Sequence, residues 1–450
     1  MSPLPILLLA LAVVILGVLR AKLHPFLVLI VAALLVAALT PPERLGAAAG
    51  TSVGRRVAEG FGKTALDIGI LIAMASILGQ CLLEARGAER IVTSLGRLVG
   101  RDRTPLAFLG AGFLLGIPMF AEAVFYLLLP LAKAAWRETH KHGVLLVLSI
   151  VAGATMTHSL VPPTPGPLFV ADALGIDIAI MMRQGAIVGA IAALAGYAFA
   201  RRADRRLAIP LRSAETIEAR IDPGPLPPTW AALVPVLLPV VLISAESALG
   251  ESPSLPEWVT AVIRVAGDKN LALTLSALWS VGLLAWQRRG DADAVRRAVR
   301  EAVVEGGEIV LVIAAGGALG ATLRQAGMAE LAAGAFPAHP LLLVPMAFLV
   351  TCLVRTAQGS ATVAMITAAG IVGPMALEAP LPYHPVYVAL AIGCGSKPGM
   401  WMNDSGFWVI SRMTGMSESE TLRTASTMVA IEGFVGLAAT LALAVLWPMA

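Results

Sequence analysis

Five ionisable residues are expected deep in a bilayer, in stretches that are otherwise apolar: Glu122, His158, Arg355, Lys397 and Asp404. Each falls where a helix is expected to break. The first stretch is Gly116-Ile-Pro-Met-Phe-Ala-Glu-Ala123, the second Thr157-His-Ser-Leu-Val-Pro-Pro-Thr-Pro-Gly-Pro167, the third Arg355-Thr-Ala-Gln-Gly-Ser-Ala-Thr362. The fourth is Gly393-Cys-Gly-Ser-Lys-Pro-Gly399, followed by Asn403-Asp-Ser-Gly406. Four prolines between positions 162 and 167 cannot continue a helix. A break exposes backbone N–H groups at the start of each half-helix, with the positive dipole end facing inward, so an anion is the natural guest. Arg355 offers a carboxylate a two-pronged fork, and Lys397 a point charge. Thr157, Ser159, Gln358, Ser360, Thr362, Ser396, Asn403 and Ser405 supply hydroxyls and amides suited to a polyhydroxylated ligand. Glu122 and Asp404 are the expected proton-coupling carboxylates, because charge inside a membrane is costly and marks function by default.

Each of these groups also has a plainer reading. Arg355 and Glu122 would satisfy one another as a structural ion pair, and Lys397 beside Pro398 would snorkel to the interface. Asp404 with Asn403 would cap a half-helix, and His158 would be a buried hydrogen-bonding histidine. Asp67, Glu305 and Glu308 lie near expected helix ends and read as interfacial.

The elements that must hold these residues are membrane helices. Of 450 residues, 58% are hydrophobic and 14% charged, against about 25% charged in ordinary soluble domains. No water-soluble globule could cover that much apolar surface. The net charge of +4 comes from short basic clusters between apolar runs, which is the look of cytoplasmic loops and not of a nucleic-acid surface. Cys81, Cys352 and Cys394 lie in apolar stretches without metal-type spacing. Residues 1–17 carry no Lys or Arg ahead of their apolar run, so a retained first helix is expected. Spans of about 20 residues are expected at 3–19, 25–40, 64–83, 143–172, 180–200, 229–247, 270–286, 307–323, 386–411 and 425–447.

The chain divides into halves. Pro105-Leu-Ala-Phe-Leu109 recurs as Pro345-Met-Ala-Phe-Leu349, a separation of 240 residues, and the same separation relates Gly87 to Gly327, Gly153 to Gly393, Gly166 to Gly406 and Gly175 to Gly415. Residues 1–200 form a first repeat, 201–228 a cytoplasmic linker, and 229–450 a second repeat. Basic residues flank 104–130 (Arg86, Arg90, Arg97, Arg101 and Arg103 before it, Lys133, Arg137 and Lys141 after), whereas the equivalent stretch 344–370 is nearly free of them. Equivalent loops with opposite bias imply opposite sides of the membrane, hence inverted repeats, with both termini outside and most of the 33 Lys and Arg in the cytoplasm. Residues 104–130 and 344–370 are too short for two crossings and read as re-entrant hairpins. Non-helical backbone survives at that depth only within protein or around a wet cavity, where transporters build their sites. The fold class is therefore an all-α polytopic membrane protein. Each repeat has five crossings, one of them broken (143–172 and 386–411), plus one hairpin.

HSLVPPTPGP, RTAQGSATVA, NDSGFW and the upstream GIPMFAEAVFYLLLPL together resemble the gluconate permease family of the ion-transporter superfamily, over roughly residues 5–447. The resemblance implies gluconate–proton symport across the bacterial inner membrane, with relatives that carry other sugar acids or D-serine. It also implies a scaffold, a mobile elevator-type transport domain and a homodimer. Matched position by position, Glu122 falls on the family's first-hairpin acid, Gln358, Gly359 and Ser360 on the second tip, and Asn403 and Asp404 on its Asn-Asp pair. Thr164 stands where the family's PPHPGP motif has histidine, just ahead of Gly166, and Ser396 to Met402 (SKPGMWM) replaces a more apolar segment. Both departures fall among the expected substrate-binding residues.

Charge balance suggests a mechanism: Glu122 and Asp404 against Arg355 and Lys397 is near neutral, and an added carboxylate would call for a proton. The scaffold would be the first two helices of each half. A sodium-coupled carrier and an anion channel remain alternatives. No HExxH, GxSxG or P-loop pattern occurs, so an enzyme, a metal and a cofactor are not expected.

Overall fold

The computed structural model describes residues 3–45, 50–99, 104–139, 142–207, 209, 225–250, 255–327, 340–378, 380–402 and 404–449. Every regular element among them is helical. The first half runs α1 (Pro3–Leu19), α2 (Pro25–Leu39), α3 (Val53–Glu84), α4 (Gly87–Val99), α5 (Thr104–Leu115), α6 (Ala121–Thr139), α7 (Gly143–Leu160), α8 (Pro165–Ala173) and α9 (Ile178–Arg206). The second runs α10 (Thr229–Leu249), α11 (Glu257–Gly267), α12 (Lys269–Gln287), α13 (Ala292–Gln325), α14 (Leu343–Gln358), α15 (Ala361–Glu378), α16 (Val386–Gly395) and α17 (Ser405–Thr414). It closes with α18 (Glu418–Leu446), which carries one π turn at Leu422–Ser426. Seven of the described segments are long and apolar enough to cross a bilayer. The protein is a multi-pass membrane protein.

Both expected breaks occur. α7 stops at Leu160 and α8 starts at Pro165; α16 stops at Gly395 and α17 starts at Ser405. Thr164 precedes α8 and Asp404 precedes α17, and Asp404 caps its half-helix by accepting the Phe407 N–H at 3.1 Å. The stretches expected as hairpins each hold two helices, α5 and α6 and then α14 and α15, and the second of each pair runs past the expected ends at 130 and 370. In α6 the extension includes Lys133, whose ammonium donates to the Met413 carbonyl near the end of α17 at 2.6 Å. That partner lets a charged residue continue a helix that polarity alone would have ended.

Other boundaries differ as well. α3 starts at Val53, where residues 41–63 read as a loop, and α13 at Ala292, fifteen residues before its expected apolar run at 307. The α3 extension is tied down by Ser52, which accepts the Arg55 N–H, and by buried Arg56, which donates to the Ala37 carbonyl at 2.6 Å. The amphipathic helices α4 and α11 have no counterpart among the expected spans. Of the expected linker, 201–206 continue α9, and 208 and 210–224 lie outside the described residues.

Small residues set the close contacts. α3 and α13 pack antiparallel: Gly60 meets Ala321 and Ala318, Gly317 meets Thr64, and Gly306 meets Ser76. α5 and α7 are closer still, because a Cβ on Gly153 would lie 2.2 Å from the Leu109 carbonyl oxygen and 2.6 Å from the Phe113 nitrogen. Those neighbours are backbone and cannot step aside. Gly153→Ala is expected to lose about 1–3 kcal/mol or more through overpacking. Gly62→Ala, which meets nothing within 4 Å, should be neutral or slightly stabilising, since alanine orders more cheaply than glycine in a helix. Thermal unfolding of both variants in detergent checks the contrast, and equal melting temperatures would refute the packing argument.

Candidate functional site

The two tips, the end of α7 and the second break converge on one cavity of about 540 Å³. Its wall is built from separate short runs of chain, each with its own local reason. The α5–α6 turn brings Phe120, Ala121 and Glu122, with Glu122 in the first turn of α6, where the helix dipole favours a negative charge. α14 ends at Gly359 in the left-handed region (φ 80°), and α15 restarts at once with Ser360 accepting the Val363 N–H at 3.3 Å. That tight reversal exposes Gly359, Ser360 and Thr362 to the cavity.

α7 shows one face. Val151, Ala154, Thr155 and His158 line the cavity, spaced at three and four residues as one side of a helix must be. Thr157 and Ser159 are buried on other faces, Thr157 bonding back to the Gly153 carbonyl at 3.2 Å. Thr164 is turned to its own chain and donates to the His158 and Val161 carbonyls, both at 2.9 Å. Gly166 packs α8 against Met365 of α15, leaving no room for a Cβ. Gln358 lies outside the cavity wall, and Asn403 lies outside the described residues. The cavity therefore collects Glu122, His158, Arg355, Gly359, Ser360, Thr362, Ser396, Lys397, Asp404 and Ser405 of the residues singled out in the sequence.

Inside the cavity the charges pair across elements. The Arg355 guanidinium forms an ion pair with Asp404 and also donates to the Gly359 carbonyl; the side chains are only 7% and 3% exposed. Glu122 takes a different partner from the one the plainer sequence reading gave it, accepting the Ser405 hydroxyl at 3.3 Å. A Cβ on Gly406 would lie 3.0 Å from an Asp404 carboxylate oxygen and 3.5 Å from one of Glu122, a tight fit. Lys397 does not snorkel: it is buried and donates to the Thr155 carbonyl at 2.6 Å. His158 Nε2 approaches the Thr362 hydroxyl at 3.5 Å, and Nδ1 is buried with no hydrogen-bond partner among the described residues.

Three titratable lining residues were read otherwise in the sequence or passed over. Glu305 and Glu308, expected to be interfacial, face the cavity from α13, together with Ile309 and Val312. His24, the residue ahead of α2, also lines it and reaches Glu308 at 3.2 Å. The available signal was spacing: Glu305, Glu308, Ile309 and Val312 repeat at three and four residues, the pattern of one helix face.

This assembly of helix breaks around a charged cavity can be set beside known proteins. The GntP family permease description matches residues 2–446. The chain belongs to the GntP permease family. This permease is 33% identical to a gluconate permease of Pseudomonas aeruginosa over 430 residues, covering 93% of this chain and 92% of the relative. It is 32% identical to an uncharacterized permease of Haemophilus influenzae over 437 residues, covering 92% and 87%. It is 28% identical to the D-serine transporter DsdX of Escherichia coli strain K12 over 443 residues, covering 96% of each chain. In fold it is similar to the Alcanivorax borkumensis YdaH transporter, with a TM-score of 0.65 at 15% identity over 95% of this chain and all of the other. Neisseria gonorrhoeae MtrF gives a TM-score of 0.65 at 17% identity, with 97% of each chain covered. The permease is a transporter and not an enzyme.

The Arg355–Asp404 pair yields a stability test. Asp404→Ala leaves a guanidinium in a nearly closed site without its counter-charge, and is expected to cost about 3–5 kcal/mol. Arg355→Met with Asp404→Leu removes both charges and should unfold at a higher temperature than the single variant. A double variant no more stable than Asp404→Ala would show that the pairing carries little of the cost.

Proposed function

We propose that this permease imports gluconate or a related sugar acid by proton symport across the bacterial inner membrane. The observation that carries the reading is the cavity itself: two cationic side chains, Arg355 and Lys397, stand beside the hydroxyls of Ser360, Thr362, Ser396 and Ser405, with Glu122 at its edge. Arg355 and Lys397 attract a carboxylate, and the hydroxyls bond to a polyol chain. Its volume falls in the range of small-molecule sites, about 300–1,000 Å³. Glu122, Glu305, Glu308 and Asp404 already bring more negative charge than Arg355 and Lys397 balance. An entering carboxylate is tolerated only if a proton enters with it, and Glu122, held by a single hydroxyl, takes that proton. Substrate and proton then bind better together than apart, which is the thermodynamic content of symport.

Transport in this reading is an elevator movement of two inverted repeats, with both termini outside. The element boundaries support it. α3, α6, α8 and α9 start at 53, 121, 165 and 178; α13, α15, α17 and α18 start at 292, 361, 405 and 418, within one residue of the 240-residue separation. The equivalent helices α3 and α13 run antiparallel, as inversion requires. α3 and α13 join α2 and α12 in the scaffold, and the hairpins and broken helices slide past the wall formed by His24, Glu305 and Glu308.

A second reading is favoured by the surplus of carboxylates: a zwitterion such as D-serine would give its ammonium an acidic partner and its carboxylate a basic one. One assay separates the two. Proteoliposomes with an alkaline interior and no sodium are expected to accumulate radiolabelled gluconate, and a protonophore to abolish the accumulation. Glu122→Gln should reduce accumulation about tenfold or more, equivalent to about 1.4 kcal/mol of coupling, and flatten its pH dependence. Concentrative uptake by Glu122→Gln with an unchanged pH profile would sink the assignment. Competition by D-serine and not by other sugar acids would favour the second reading.

A further inference from the structure

The cavity has an acidic neighbour behind its wall. Glu432, in the apolar helix α18, is completely buried. One carboxyl oxygen lies 3.2 Å from the Thr155 hydroxyl, which also has the Val151 carbonyl at 2.8 Å, and the other has no hydrogen-bond partner among the described residues. Gly196 of α9 leaves the room it occupies, because a Cβ there would lie 2.0 Å from the unpartnered oxygen. The adjoining Gly433 lets the second break approach, its own Cβ position falling 2.9 Å from the Lys397 Cβ. Thr155 is thus shared: its carbonyl holds the Lys397 ammonium at 2.6 Å, and its hydroxyl, 2.8 Å from the Val151 carbonyl, also lies 3.2 Å from Glu432. Lys397 and Thr155 both line the cavity.

The groups that act on this pair are few. The second break brings Lys397 and the Cys394 thiol, α7 brings Thr155, and α9 presents Gly196. Glu122 and Arg355 act on Lys397 from across the cavity. A buried carboxyl group with an orphan oxygen either binds a proton or ionises near a cation, and the cation that shares Thr155 with it is Lys397. An anion in the cavity draws on that same charge.

We propose that Glu432 is a proton-binding residue coupled through Lys397 to occupancy of the cavity. With the cavity empty, Lys397 supports the Glu432 carboxylate. When a substrate carboxylate takes the ammonium as its partner, Glu432 loses that support and binds a proton. Anion and proton therefore favour each other's binding through one lysine. The inference rests on the symport reading and deepens it: Glu432 becomes a second protonation site besides Glu122. It also explains how a lysine can stand in the SKPGMWM segment.

Infrared difference spectroscopy of the reconstituted protein tests it without any ligand. Titration between acid and alkaline pH is expected to show a protonated-carboxyl C=O band that Glu432→Gln removes. Lys397→Met should hold that band at all pH values, because the acid then has no cation to ionise against. This second variant keeps the test decisive if Glu432→Gln misfolds. Gluconate added to weakly buffered protein should draw fewer protons into Glu432→Gln than into the unsubstituted protein, with gluconate binding retained at acid pH. A band and a proton uptake unchanged in Glu432→Gln would overturn the proposal while leaving symport through Glu122 intact. Absence of gluconate-driven proton uptake in the unsubstituted protein would overturn symport, and the ligand-free titration would still decide whether Glu432 binds protons.

Discussion

Backbone that leaves the helix inside a bilayer has no water to turn to, so each freed N–H and C=O must find a partner within the protein. The rest of this architecture follows from that constraint. Three of the four interruptions are closed locally by side chains: at the second tip Ser360 restarts α15 and the Arg355 guanidinium reaches the Gly359 carbonyl, Asp404 caps α17, and Thr164 binds carbonyls left by the end of α7. Breaks gathered in one place shield one another from lipid, and their positive ends and capping side chains then surround a common space. The cavity results from satisfying the backbone as much as from any ligand's demands.

Electrostatics within that space obeys the same economy. Few ionisable side chains face it without a specific partner. Arg355 answers Asp404, Glu122 answers Ser405, His24 answers Glu308, and Lys397 binds the Thr155 carbonyl with Glu432 just behind. Two partners therefore come from residues whose sequence neighbourhoods gave no hint of a site. Thr155 looks like an ordinary helix residue, yet its carbonyl holds one cation and its hydroxyl lies beside one acid.

The broken helices and tips were legible because proline, glycine and charge inside apolar runs admit few structures, and ten of the residues singled out there line the cavity. Helical phase was what the motifs concealed. In Thr157-His-Ser159 only the histidine faces the cavity, since neighbouring side chains on a helix point about 100° apart. Helix ends were illegible wherever a charged residue had a distant partner: Lys133 prolongs α6 through a carbonyl nearly three hundred residues away in sequence, and Arg56 prolongs α3 through Ala37. Glu305 and Glu308 were misplaced because the charged first half of α13 looks like a loop until its three-and-four spacing is noticed. Glu432 was passed over as one acid in an apolar span, although such a residue is a signal in its own right.

The bond from Lys133 to the Met413 carbonyl joins the first hairpin to the far end of the second half's broken helix. Its consequence is mechanical. The limb that carries Glu122 is fastened through Lys133, part-way along α6, to the end of the half-helix that follows Asp404, while their near ends meet through Ser405. Two points of attachment along neighbouring rods suppress rotation as well as separation, so the two limbs behave as a stiff strut. Any displacement of one of these two limbs carries the other with it, and the distance between the two carboxylates is held by both attachments.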